Sequence, residues 1–131
     1  MLAVVSAAAA TPIAGEYSCY ILALGGSIMT PYGAAPTVTP MPSGINRVWL
    51  EAGGRYRHAA GTGRYRYDSA TGHVIFESGP LEGFTTRSEA DGERRWLRFA
   101  AQKGGDLAPK SRLGEHICVL KTDPHSASTT P

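Results

Sequence analysis

The chain is short of the residues that build metal and redox centres. It has two cysteines, Cys19 and Cys118, with none of the close CxxC spacing of a zinc or dithiol site. His58 and His125 have no partners at metal-ligand spacing, and His73, between Thr71-Gly72 and an apolar run, reads as a surface or edge residue. No metal and no cofactor is therefore expected. GxSxG, HExxH and Walker sequences are all missing, and Gly61-x-Gly63 lacks the third glycine and the strand–helix setting of a dinucleotide loop. There is no N-x-S/T sequon, and no apolar run is long enough to span a bilayer. Asparagine occurs once, and arginine outnumbers lysine ten to three, a bias of GC-rich bacterial genomes rather than a sign of chemistry.

Glycine and proline, by contrast, are plentiful at 16 and 9 of 131 residues, which favours many turns over long helices. Between the turns lie two-periodic runs: Arg55-Tyr56-Arg57, Arg64-Tyr65-Arg66-Tyr67 and His73-Val74-Ile75-Phe76-Glu77. Alternation of this kind writes half-buried strands. Further strands are expected at Gly15–Leu24, Ile45–Ala52, Phe84–Ser88, Glu93–Ala101 after an Asp91-Gly92 turn, and Gly114–Lys121. About eight short strands and little or no helix predict an all-β domain, an antiparallel meander closing into a barrel or a two-layer sandwich. The segment Gly25–Gly44 holds Pro31, Pro36, Pro40 and Pro42, so it reads as an irregular loop covering a sheet edge or a ligand.

Cys19 and Cys118 stand near the two ends of the meander, and a closed barrel brings first and last strands together. A Cys19–Cys118 disulfide is expected, closing a loop worth about 4–5 kcal/mol by chain entropy. It also points to an oxidising compartment, secreted or periplasmic. Met1–Ala14 fits that reading: an apolar stretch with small residues near Ala8–Ala10 and Ile13–Ala14, like the back half of a signal peptide, or a retained arm that could join a neighbouring molecule. Residues 15–121 form the single β domain, and Thr122–Pro131 is a polar tail.

Charge is banded. Five arginines dominate Gly44–Asp68, five acids Val74–Glu93, and seven basic residues Arg94–Lys121. On neighbouring strands such bands pair opposite charges across the sheet. A nucleic-acid surface needs one sign gathered on one face, so that partner is disfavoured.

Alternation sets Val48 and Leu50 against Arg47, Trp49 and Glu51, and Leu97 and Phe99 against Arg94, Trp96 and Arg98. With the apolar sets inward, both tryptophans lie outside beside arginines, a ligand-contacting arrangement for a small molecule, glycan or protein. Trp49, Trp96, Arg47, Arg94 and Arg98 are the candidate binding residues; the opposite burial, indoles in the core under arginine stems, is the competing reading. A non-enzymatic binding or structural module is the function expected, with self-association open.

The rival is a small hydrolase acting on a phosphodiester, with Glu77 and His116 as base and acid and an arginine as phosphate clamp. In length, two-cysteine economy and a sheet bearing Glu, Arg and His, the chain is similar to small secreted guanyl-type ribonucleases. It matches no contiguous motif of theirs and lacks their helix, so no site is carried over. Gly54-Arg55-Tyr56 and Gly63-Arg64-Tyr65 resemble the hairpins of small lipocalin-like bacterial domains, a likeness over residues 54–80 that implies a barrel.

Overall fold

The computed structural model describes residues 8–110 and 113–121. The leader-like Met1–Ala7, Ser111, Arg112 and the tail Thr122–Pro131 with His125 lie outside the described residues. Nine strands and no helix are present among the described residues: β1 (Ala8–Ala9), β2 (Gly15–Thr30), β3 (Gly33–Glu51), β4 (Arg55–His58), β5 (Gly61–Asp68), β6 (His73–Phe76), β7 (Thr86–Asp91), β8 (Arg94–Phe99) and β9 (His116–Leu120). The ladder runs β7-β6-β5-β4-β3-β2-β9-β8 and returns to β7, so eight antiparallel strands close a barrel.

The seam between β2 and β9 sets Cys19 directly opposite Cys118, and their sulfurs are bonded. β1 sits on the part of β7 that the short β6 leaves uncovered, with Ala8 opposite Ala90 and Ala9 opposite Glu89. The segment expected as a leader or exchanging arm thus pairs, from Ala8 on, with its own barrel. Tyr17 straps it down: its hydroxyl donates to the Ile13 carbonyl and accepts the Ile13 N–H at 3.1 Å.

Period-2 alternation fills the interior. Tyr17, Val48, Leu50, Tyr56, Val74, Phe76, Leu97, Phe99 and Cys118 are buried in one cluster, with Tyr65 and Tyr67 packed against it. Phe76 stacks on Phe99 at 5.5 Å and meets the edge of Tyr56 at 4.8 Å. Tyr56 also closes one end, donating to the Ser78 carbonyl (2.7 Å) and accepting the Leu81 N–H (3.0 Å). The chain passes so close there that a Cβ on Gly63 would lie 2.2 Å from the Ser78 carbonyl oxygen. Glycine is required by that approach.

The acidic band meets the first basic band at Glu77 with Arg66 (3.1 Å), and outside that banding Glu51 pairs with Arg57 (2.8 Å) and Glu16 with Arg47 (3.6 Å). The Glu51 and Glu77 pairs are solvent-exposed, worth at most about 1 kcal/mol each, whereas Glu16 is half-buried.

The proline-rich segment is where expectation and structure part. Instead of an irregular loop, β2 and β3 continue as a two-stranded ribbon, folding over at Pro31-Tyr32. Proline tolerates this because Pro36, Pro40 and Pro42 share one parity along β3. Tyr20, opposite Pro42, belongs to the parity of β2 that bonds toward β9, as does Leu22, whose carbonyl accepts the Gly114 N–H. The proline nitrogens therefore face the edge of β3 that has no strand partner among the described residues, where no ladder donor is needed. Within the barrel, Ser43–Asn46 bulge out of β3 between the pairs Ser18–Arg47 and Tyr20–Pro42, with Asn46 at φ 68°. The seventh strand is also shifted, from the expected Phe84–Ser88 to Thr86–Asp91.

Candidate functional site

β9 and the middle of β2 read Ile117-Cys-Val-Leu120 and Tyr20-Ile-Leu-Ala-Leu24, with no polar face. A strand apolar on both sides belongs in a wall covered on both sides. Inside, the core covers it. Outside, register carries Trp96 to Val119, Val119 to Ser18 and Ser18 to Arg47 in one row across β8, β9, β2 and β3; the next row is Arg98, Ile117, Tyr20 and Pro42. Tyr20, Leu22, Arg94, Trp96, Ile117 and Val119 line a concavity of about 230 Å³ on this outer wall.

The segment following β8 roofs one end of the wall through Arg98. Its guanidinium donates to both oxygens of Glu89 (Nε 3.2 Å, Nη2 3.1 Å), to Glu115 Oε1 (3.0 Å) and to the Ala108 carbonyl (2.9 Å). Glu115 accepts the Ala108 N–H in return at 3.1 Å. Burial pulls the Arg98 pKa down, but the hydrogen bonds and charges of Glu89 and Glu115 outweigh it, and the pKa is raised. Glu89 also accepts the Trp96 indole N–H at 2.9 Å, which fixes the ring at the concavity.

The five candidate residues thus fall into different roles. Arg47, Trp49, Arg94 and Trp96 share the outer face, and Arg98 shares it by parity alone. Expected as an exposed contact, Arg98 is instead 1% exposed beneath Ala108 and Glu115. The Trp49 ring lies beneath the Arg57 guanidinium at 5.0 Å, and Glu51 holds that arginine in place. Arg47 is half-exposed against Glu16. Arg94 is exposed and has no ion pair among the described residues, and Trp96 alone of the two indoles borders the concavity. A broader polar hollow of about 480 Å³ lies on the far side of Trp49, among Arg55, Arg57, Arg64 and Ser78.

Glu77 and His116 are not brought together. Phe76 and Cys118 point inward, so Glu77 faces out, where it pairs with Arg66, whereas His116 turns toward the barrel end beside Phe84. His116 is fully engaged. Nε2 faces the Ala101 carbonyl (3.1 Å) and so carries the proton; Nδ1 then accepts from the Ser43 hydroxyl (2.7 Å), which itself accepts the Ile45 N–H (3.0 Å). This chain of bonds pins the β3 bulge to β9. His58 is likewise spent, between the Ile45 carbonyl (2.7 Å) and the Ala60 N–H (3.1 Å). Among the described residues no group of three metal-ligating side chains occurs.

No protein family, curated protein or solved structure matches the chain.

Proposed function

We propose that this chain is a non-enzymatic binding domain of a secreted or periplasmic bacterial protein, and that it recognises its partner on the outer wall around Trp96. The observation that carries this reading is the pinned indole beside an apolar concavity on a barrel whose interior is filled by its own side chains. A pocket of about 230 Å³ is smaller than the roughly 300–1,000 Å³ that encloses a small molecule. It is sized for one anchoring side chain. Exposed Arg94 at its margin and Arg47 further along the row favour a carboxylate beside that anchor. The partner class is therefore an extended protein segment with an apolar anchor and an acidic neighbour. The Cys19–Cys118 bond supports an oxidising compartment, and no described helix is long and apolar enough to cross a membrane.

The test is selection of peptides from a random display library on the native protein. Selected peptides should carry an aliphatic or aromatic residue next to Asp or Glu and lose at least about tenfold in affinity on Trp96→Ala, a change of about 1.4 kcal/mol. Arg94→Glu should weaken the acidic preference alone. Peptides that bind Trp96→Ala as well as the native chain would refute the assignment.

A further inference from the structure

The ribbon formed by β2 and β3 has two edges of opposite character. Along β3 the outer edge is blocked, because Pro36, Pro40 and Pro42 present nitrogens without hydrogens to it. Along β2, the ladder with β9 stops at Ile21–His116, followed by one bond from the Gly114 N–H to the Leu22 carbonyl. From Ala23 to Thr30 this edge has no strand partner among the described residues, and it carries no proline. It is also uncharged: the thirty residues from Tyr17 to Asn46 contain no Asp, Glu, Lys, Arg or His. Proteins usually guard an open edge with a charge, a proline or a cover. Here prolines guard the β3 edge, and the β2 edge has only the irregularity at Gly25, between Leu24 and Gly26.

We infer that the open edge of β2 pairs with the same edge of a second copy, giving a two-fold dimer with a four-stranded sheet at its centre. The row of N–H and C=O groups, without a strand partner among the described residues, calls for another strand. An identical Ala23–Thr30 segment running antiparallel supplies one without bringing like charges together. Symmetry is fixed by the guarded edge. A head-to-tail chain would have to join β2 of one copy to β3 of the next, and the prolines forbid it, so pairing β2 to β2 closes the assembly at two. In that register the incoming strand continues the line of β9, and the neighbour's turn, where Tyr32 is 99% exposed and Met29 82%, lands next to Leu22 at the margin of the wall.

Sedimentation equilibrium of the disulfide-intact chain from about 1 to 300 µM tests this without any ligand, so its outcome is independent of the partner proposed above. The native chain should sediment at twice its own mass. Ser27 stands opposite Pro36, which cannot donate to β2, so the Ser27 N–H faces the open edge. Ser27→Pro should therefore abolish the dimer while leaving the ribbon's internal bonds and the far-UV spectrum unchanged. Ser27→Lys, which sets like charges near the two-fold axis, should do the same, whereas Thr39→Lys on the guarded strand should leave the dimer intact. A native monomer throughout, a dimer indifferent to both Ser27 changes, or an open-ended polymer would each overturn the inference.

Discussion

Arg98→Met is the substitution whose cost the structure fixes most sharply. Methionine keeps much of the apolar stem but removes the cation that lies between two carboxylates, of which Glu89 is 8% and Glu115 0% side-chain exposed. Breaking a buried pair from one side leaves uncompensated charge and costs about 3–5 kcal/mol. Here two buried carboxylates lose their shared cation at once and the Ala108 carbonyl loses its donor, while Glu89 keeps Arg87 at 3.4 Å and the Trp96 N–H, and Glu115 keeps the Ala108 N–H. The expected loss falls within that range, a fifth or more of the roughly 5–15 kcal/mol that holds a domain together. Urea unfolding followed by circular dichroism reads it directly, with Arg57→Met as the reference: that arginine serves an exposed pair and lies over Trp49, and its loss should cost about 1–2 kcal/mol at most. Adding Glu89→Gln and Glu115→Gln to Arg98→Met should restore much of the loss, because the charges left behind are then gone. Without Arg98, Trp96 should also become more accessible to an aqueous quencher as the roof loosens. If Arg98→Met costs no more than Arg57→Met, the buried triad does not hold the wall.

Three further outcomes follow from the same architecture. Reducing the Cys19–Cys118 bond, which spans 99 residues, should remove about 4–5 kcal/mol and lower Tm by roughly 10–20 °C in calorimetry, with the largest loss of exchange protection along the β2–β9 seam. Burial pushes the Tyr17 hydroxyl up to about 12. The unfolded chain ionises near pH 10, so stability is whole below that point and falls between about pH 10 and 12, by roughly 2–3 kcal/mol from this residue; Tyr17→Phe should flatten the decline. Gly63→Ala should destabilise by about 1–3 kcal/mol through overpacking against Ser78 and Tyr56, measured by denaturant midpoint, whereas Gly53→Ala, with open space around it, should cost only the strain of its positive φ.

The barrel itself was legible because its signals are local and repeated. Alternation in Arg64–Tyr67 and His73–Phe76 gave the strands, and the positions of two cysteines implied the closing seam. Outward placement of Trp49 and Trp96 followed from Val48, Leu50, Leu97 and Phe99 turning inward. What escaped depends on register and on distant chain. Proline density hid the ribbon because its compatibility with a strand rests on parity and on lying at an edge, neither of which a count reveals. Arg98 looked exposed because Glu115, its cover, arrives seventeen residues later from a segment without periodicity. Trp96 was distinguished from Trp49 only by neighbours on other strands, Arg57 over one ring and Glu89 holding the other. One further signal lies in the sequence itself: Ile117-Cys-Val-Leu120 does not alternate, which marks a wall with apolar groups on both faces.

The most direct measurement is amide chemical-shift mapping of the isotope-labelled, disulfide-intact chain titrated with a selected peptide. Shifts should concentrate on Tyr20, Leu22, Arg94, Trp96, Ile117 and Val119, with inward neighbours such as Phe76 and Val48 still. Shifts gathered instead at the barrel end around His58, Leu81 and Phe84, or spread through the interior strands, would contradict binding at the outer wall.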